Sequence, residues 1–204
     1  MLSDDTYKTI NKKSLGYYKD RGSKFIAVAV PVSGEEQAKG ELEKIRKTYH
    51  DARHHCYAYR LGWDYASYRI NDDGEPSGSA GKPIFGQIRS YELTNVLIVV
   101  VRYFGGVKLG VRGLIDAYKG ATQEALQATK IVNRTVKEKL HIHFKYPQMG
   151  KVMHIIKENN LDQIDTRFQI ECDLDIAVQK SKGEEFAELF RKIEDVTVES
   201  KGLL

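Results

Sequence analysis

The chain has 204 residues, of which 41% are hydrophobic and 29% charged, and its formal net charge is +4 at pH 7. These values describe an ordinary soluble protein that is long enough for two small domains. No apolar run approaches the ~20 residues that a membrane helix requires. The start, Met1–Asp5, lacks the cationic and apolar segments of a signal peptide. Because the only two cysteines, Cys56 and Cys172, lie far apart, we expect reduced thiols and a cytoplasmic protein.

The charge is unevenly distributed along the chain. Residues 1–134 contain 21 Lys and Arg against 15 Asp and Glu, whereas residues 135–204 contain 11 against 13. The basic excess therefore lies in the first part, which also holds the glycine-rich loops. This distribution favours a partner with an acidic surface, such as a nucleic acid.

The first part, residues 1–134, is predicted to form one domain of mixed strands and helices. Ser33 and Glu36 have the spacing of a capping box, and residues 96–101 are apolar throughout, which is typical of a central strand covered on both faces. In chain order the predicted elements are a strand over 25–32, a helix from Ser33, strands over 55–61 and 65–70 joined by a turn at Gly62, a helix from Pro83 towards Glu92, a strand over 96–101 and a helix whose apolar stripe runs from Leu114 to Ala125.

The second part, residues 135–204, is predicted to form a ferredoxin-like domain, because its elements follow the order β-α-β-β-α-β. We expect the joint between the two domains at Asn133–Thr135. The fold class is therefore α+β. The predicted elements are a strand over 136–144, a helix over 149–156, strands over 164–170 and 174–178, a helix over 186–193 and a strand over 196–198.

The loop after the central strand combines three cations with glycines and leads into a helix. Backbone N–H groups and the N-terminus of a helix attract negative charge, so this arrangement favours an anion-binding site. The alternative is that the glycines only permit a tight turn and that the cations are solvated. The glycine spacing from Gly106 onward is not that of a dinucleotide-binding loop. The residues expected to contact the anion are Arg102, Gly105, Gly106, Lys108 and Arg112.

A second glycine-rich loop spans residues 71–83 and contains three carboxylates and two hydroxyls. Its pair Gly81–Lys82 resembles part of a phosphate-binding loop. However, Pro76 stands where that motif requires glycine, and Pro83 stands where Ser or Thr should bind magnesium. The loop is either an ordered surface loop or a binding loop. As a binding loop it would add Lys82 to the anion site.

The same loop offers an alternative function, hydrolysis. Ser77 or Ser79 could pair with His55 and Asp73, and Glu75 is a further carboxylate among these loop candidates. The nucleophile pattern G-x-S-x-G is absent, and a catalytic triad is defined by geometry and not by composition. We therefore assign no catalytic residue.

No metal site or cofactor is expected. His54 and His55 are strand neighbours whose side chains point to opposite faces. His141 and His143 share a face but lie between lysines, and no further ligand has a recognisable spacing. A structural or polar-surface role is favoured for both pairs.

Residues 73–84 and 95–118 resemble the signature of the YigZ/IMPACT family, and residues 55–58 resemble its shorter upstream motif. The resemblance covers most of residues 20–130. It implies that the first domain has a fold like domain 2 of a small-subunit ribosomal protein. The second domain resembles the C-terminal module of the bacterial YigZ branch, itself similar to a domain of elongation factor G.

The family resemblance implies a role in translation. Its eukaryotic members are translational regulators that restrain an initiation-factor kinase, through partners that bacteria lack. For this chain we expect a cytoplasmic, non-enzymatic binding protein that contacts RNA, the ribosome or translation factors. A hydrolase is the alternative, and a protein-interaction module without a ligand site is a third hypothesis.

Overall fold

The α+β class that the sequence predicts is confirmed by a computed structural model that describes residues 5–204. The first four residues, part of the start without a signal-peptide pattern, lie outside the described residues. Two compact units are present: residues 7–134, and residues 135–204 with Asp5 and Thr6. We call them the first and the second unit. No helix within residues 5–204 is long and apolar enough to cross a membrane.

The first unit combines seven strands and three helices in the described residues. They are β1 (Thr6–Ile10), β2 (Ser14–Asp20), β3 (Ser23–Pro31), α1 (Glu35–Thr48), β4 (His54–Leu61), β5 (Ser67–Asn71), α2 (Gly81–Ser90), β6 (Val96–Tyr103), α3 (Gly110–Gln127) and β7 (Ile131–Thr135). β1 pairs with β7, and the remaining strands form a five-stranded sheet in the order β2-β3-β6-β4-β5.

The apolar run 96–101 lies at the centre of this sheet, as predicted, and its side chains are fully buried. Helices cover both faces. The stripe of α1 packs against Val28, Leu97 and Val99 on one face, whereas α2 and α3 pack against the other. A strand that is apolar at every position is therefore explained by apolar neighbours on both sides.

The stripe of α3 consists largely of small residues that bring its backbone close to β2. A Cβ atom added to Gly16 would lie 2.2 Å from the backbone nitrogen of Ala125. Ser14, also on β2, donates a hydrogen bond from Oγ to the carbonyl oxygen of Ala125 at 2.7 Å. The close approach of α3 thus requires small side chains at Ser14 and Gly16 on the inner face of β2.

Helix α1 begins two residues later than predicted, and the expected capping box is absent. Gly34 occupies the N-cap position. The backbone N–H and the Oγ of Ser33 both bond to Oε1 of Gln37, at 2.8 and 2.9 Å. Glu36 is exposed. The side chain that reaches back to Ser33 is therefore Gln37, one residue later than a capping box requires.

The second unit has the ferredoxin-like order that the sequence predicts. Its elements are β8 (Lys137–Lys145), α4 (Met149–Glu158), β9 (Asp162–Phe168), β10 (Glu171–Gln179), α5 (Gly183–Arg191) and β11 (Val196–Leu203). The strands form an antiparallel sheet in the order β11-β8-β10-β9, whose apolar face packs against α4 and α5. The predicted strand over 164–170 ends earlier, because Ile170 lies in the turn and is 86% exposed.

Candidate functional site

A cavity of about 400 Å³ lies in the first unit where the two glycine-rich loops meet. Glu75 and Pro76 come from the loop between β5 and α2. Residues 102–114 supply the end of β6, the loop after it and the first turns of α3. The structure therefore brings the two loops together, which the sequence left open. We call this space the loop cavity.

The walls of the loop cavity are mainly apolar, with cations among them. Apolar contacts come from Phe104, Leu109, Val111 and Leu114, and the charged or titratable groups are Arg53, His54, Glu75, Arg102 and Lys108. Phe104 and Val111 are 57% and 54% exposed. Apolar side chains of this exposure beside a cavity are typical of a binding surface.

The N-terminus of α3 opens into the loop cavity. Gly110 and Val111 form its first turn and line the cavity. Leu109 precedes them and has no side-chain oxygen to accept their N–H groups, and the first turn has no acidic residue. The unpaired N–H groups and the dipole of this 18-residue helix therefore give this end of the cavity a positive potential.

Arg102, one of the predicted anion ligands, lies in the wall of the loop cavity and pairs with a carboxylate of the protein. Its side chain is 7% exposed and donates from Nη1 to Oε1 of Glu75 at 2.6 Å. The Glu75 side chain is 4% exposed. The guanidinium carbon lies 5.5 Å from the ring centre of Phe25 and 5.6 Å from that of Phe104. Glu75 therefore balances the charge of Arg102 inside the protein.

The pairing with Glu75 does not satisfy the Nε of Arg102. Its Nε is buried and has no hydrogen-bond partner among residues 5–204. A buried donor without a partner costs about 1–3 kcal/mol, so nearly all such groups in native proteins are paired. An unpaired donor in the wall of a cavity indicates that a ligand oxygen could complete the site.

A hydrogen-bonded chain runs inward from Glu75. Tyr118 on α3 donates from its hydroxyl to Oε1 of Glu75 at 2.9 Å, and the Cys56 thiol donates to the Tyr118 hydroxyl at 3.2 Å. Burial raises the pKa of Tyr118 and raises the pKa of the Cys56 thiol to about 12. Cys56 is therefore protonated at neutral pH and is a poor nucleophile.

Asp72 organises the loop between β5 and α2, a role that the sequence analysis missed. Its carboxylate accepts the backbone N–H groups of Gly78, Ala80 and Gly81 at 2.9, 3.0 and 2.8 Å. Burial opposes ionisation of Asp72, but these three bonds and the charge of Lys82 outweigh it and lower its pKa. The sequence signal was an Asp before a glycine-rich turn at a helix start.

The hydrolase candidates are not arranged as a catalytic triad. Ser79 is buried, and its Oγ donates to the carbonyl oxygen of Pro76 at 2.6 Å. Asp73 does meet His55, whose backbone N–H it accepts at 2.6 Å and whose Nδ1 lies 3.9 Å away. The His55 Nε2 lies 3.0 Å from the carbonyl oxygen of Tyr49. Ser77 is exposed on the loop.

The remaining predicted anion ligands do not all line the cavity. Lys82, Lys108 and Arg112 are exposed, and only Lys108 belongs to the cavity wall. The backbone N–H of Gly105 already donates to Oγ of Ser23 at 3.1 Å. A Cβ atom at Gly105 would lie 1.9 Å from the backbone of Gly22, so this glycine permits close packing. Gly106 is exposed in the turn that follows.

His141 and His143, on β8, lie on the solvent face of the sheet of the second unit. Nδ1 of His141 is 2.7 Å from Oδ1 of Asp175, and Nδ1 of His143 is 2.9 Å from Oδ1 of Asp173. Nowhere in residues 5–204 do three or more His, Cys, Asp or Glu side chains form a group that could hold a metal ion.

Comparison with known proteins decides the family. Residues 21–126, more than half of the chain, match the Impact N-terminal domain. The chain belongs to the IMPACT family. The matched residues contain both glycine-rich loops and the loop cavity, so this cavity lies within the part of the chain that matches this domain.

The similarity to bacterial IMPACT proteins extends beyond that domain. IMPACT family member YvyE of Bacillus subtilis is 33% identical over 81% of this chain and 76% of its own length. IMPACT family member YigZ of Escherichia coli is 33% identical over 81% of this chain and 82% of its own length. The crystal structure of a hypothetical protein matches 95% of this chain and 96% of its own, with 28% identity and a TM-score of 0.73.

Proposed function

We propose that this IMPACT protein is a cytoplasmic, non-enzymatic binding protein of the translation machinery. In this proposal its first unit contacts RNA, the ribosome or a translation factor. Family membership supports the link to translation, because the resemblance stated above connects eukaryotic members with translational regulation. The local electrostatics of the first unit support an acidic partner.

The observation that carries the proposal is a set of exposed cations at the N-terminal ends of α2 and α3. Lys82, Lys108 and Arg112 form no salt bridge with any part of the chain that the structure describes. The uncapped N-terminus of α3 adds to their positive potential. Such a surface attracts polyanions and releases their counterions on binding.

The polar groups beneath this surface support binding more than catalysis. The Ser79 hydroxyl is committed to a backbone carbonyl, and Cys56 has a pKa of about 12. A nucleophile needs a neighbouring base or a lowered pKa. Neither Ser79 nor Cys56 is therefore favoured as a nucleophile.

Ribosome co-sedimentation at increasing salt tests the proposal. The wild-type protein should bind with an affinity that falls as salt rises. The Lys108→Glu/Arg112→Glu variant should bind less tightly, with a log–log salt slope smaller by about 2, because two cations no longer release counterions.

Lys151→Glu/Lys157→Glu on α4 is the matched control. It changes the net charge equally at exposed positions of the second unit and should bind like the wild type. The absence of any salt-sensitive complex, or equal losses in both variants, would contradict the proposal.

A further inference from the structure

We propose that the loop cavity binds a carboxylate carried on an apolar body, as found at the C-terminus of a protein that ends in an apolar residue. A free apolar acid has the same chemistry. The inference rests on the proposed function as a binding protein and names the chemistry that this site recognises. Three features of the cavity carry it.

The first feature is the uncapped N-terminus of α3. The N–H groups of its first turn have no partner inside the helix, and Gly110 and Val111 place that turn in the cavity wall. Anions bind at such helix ends because the free N–H groups and the dipole act together. Lys108, exposed in the same wall, adds a positive charge.

The second feature is Arg102, which is independent of the helix. It is more than nine-tenths buried, lines the same cavity and has an Nε without a partner among the described residues. Because Nη1 already donates to Glu75, the buried Nε is a donor of Arg102 that still lacks an acceptor, and an oxyanion would satisfy it. The ring of Phe104, more than half exposed, lies over this guanidinium, so the proposal requires the ring to shift when the oxyanion reaches Nε.

The third feature is the apolar wall, which bare phosphate or an RNA backbone would leave uncovered. Phe104, Leu109, Val111 and Leu114 face a volume of about 400 Å³, enough for one apolar side chain. A ligand that places a carboxylate at the helix end can lay its apolar side chain against this wall. Burial of apolar surface then adds to the electrostatic attraction.

The charge balance of the cavity favours a carboxylate over a phosphate monoester. Glu75 lies in the cavity wall and already uses one arm of Arg102. A dianion would meet this carboxylate and needs more donors than one guanidinium edge and one helix turn supply. A carboxylate has one charge and two oxygens, which this set of donors can satisfy. When the carboxylate is the end of a peptide, the rest of the peptide leaves the cavity through one opening.

Fluorescence anisotropy with labelled tetrapeptides tests the inference on the full chain. The probe is Ala-Gly-Ala-Leu with a free carboxylate, and its C-terminal amide is the matched control. The free acid should bind roughly tenfold or more tightly than the amide, because only the acid forms charge-assisted hydrogen bonds. Equal affinities, or no binding of either peptide, would overturn the inference.

Two competitors distinguish the sources and the chemistry. The acid 4-methylpentanoate carries the carboxylate and side chain of leucine without a peptide. Weaker competition by this acid than by the unlabelled peptide assigns the site to chain ends, and equal competition assigns it to free apolar acids. Both results support the shared chemistry. Stronger competition by phenyl phosphate than by either acid would contradict it.

Val111→Asp should abolish peptide binding without disturbing the core, because Val111 is 54% exposed. The new carboxylate lies in the first turn of α3, where acidic residues stabilise a helix, but it repels an incoming anion. Val107→Asp introduces the same charge at an exposed position of the same loop outside the cavity wall. We expect loss of peptide binding in the first variant and near wild-type binding in the second. Equal binding by both variants would contradict the proposal.

This outcome is separable from that of the proposed function. Salt-sensitive ribosome binding without any peptide binding would refute the carboxylate site alone. Peptide binding without a ribosome complex would refute the proposed translation partner and retain the site.

Discussion

The protein contains two clusters of polar and charged side chains that differ in burial. The first is the buried chain of the first unit, which consists of Arg102, Glu75, Tyr118 and Cys56. The second is the open cluster on the solvent face of the second unit's sheet, which consists of Lys139, His141, His143, Asp173 and Asp175.

The comparison shows that burial decides whether a polar group without a protein partner has an energetic cost. In the open cluster each carboxylate has a cation or an imidazole beside it, and water can serve every remaining lone pair. In the buried chain water is excluded, so the missing partner of the Arg102 Nε has an energetic consequence. Charged and titratable side chains therefore leave a buried donor without a partner in one unit and form a balanced, solvated face in the other.

Removal of Glu75 should have the largest effect on this comparison. Glu75→Ala leaves the Arg102 guanidinium buried without a counter-charge, and we expect the free energy of unfolding to fall by about 3–5 kcal/mol. Urea unfolding followed by circular dichroism measures it. The double variant Glu75→Met/Arg102→Met removes both charges and should lose less than the single variant. A double variant less stable than Glu75→Ala would show that the uncompensated charge is not the cause.

Much of the fold could be predicted because its signals are local. The apolar run of β6 and the apolar stripe of α3 indicate a covered strand and a packed helix. β2 was missed because its pattern is inverted: Leu15 and Tyr17 face outward, whereas Ser14 and Gly16 face inward against α3. Apolar residues of a strand usually face the core, but here the close approach of the α3 backbone leaves room only for Ser14 and Gly16. No pattern within β2 reveals this approach.

The candidate site was predicted less completely, because its decisive contacts join distant residues. The anion-attracting end of α3 follows from a glycine turn before a helix, which is visible in sequence. The pairing of Arg102 with Glu75 spans 27 residues and depends on how the two loops fold together. Sequence therefore indicated the charges around the site but not which of them the protein neutralises itself.

A smaller effect is expected at Tyr118, one step further along the buried chain. Tyr118→Phe removes the hydroxyl that donates to Glu75 and accepts from Cys56, and should cost about 0.5–1.5 kcal/mol. Tyr103→Phe is the control, because that hydroxyl donates to the exposed Asp51 and its loss should cost less than about 0.5 kcal/mol. Both values come from urea unfolding. A larger loss at Tyr103 would mean that burial does not determine the cost.

The smallest effect is expected in the open cluster, and it depends on pH. The hydrogen bond from His143 lowers the pKa of Asp173; burial opposes ionisation of Asp175, but Lys139 and His141 lower its pKa. A carboxyl whose folded pKa is lowered stabilises the folded state above its unfolded pKa of about 3.9, and this stabilisation is lost as the pH falls through the folded value.

Asp173→Asn should therefore reduce the free energy of unfolding by less than about 1 kcal/mol at about pH 7, since exposed pairs are screened by solvent. The difference from the wild type should shrink as the pH falls below about 4 and through the lowered folded pKa, below which Asp173 is protonated in both states of the wild-type protein. Urea midpoints measured from neutral to acidic pH check the sign. A difference in the free energy of unfolding that grows as the pH falls would contradict the predicted sign. A loss comparable to that of Glu75→Ala would show that Asp173 contributes as much as a buried charge, and would remove the distinction between the two clusters.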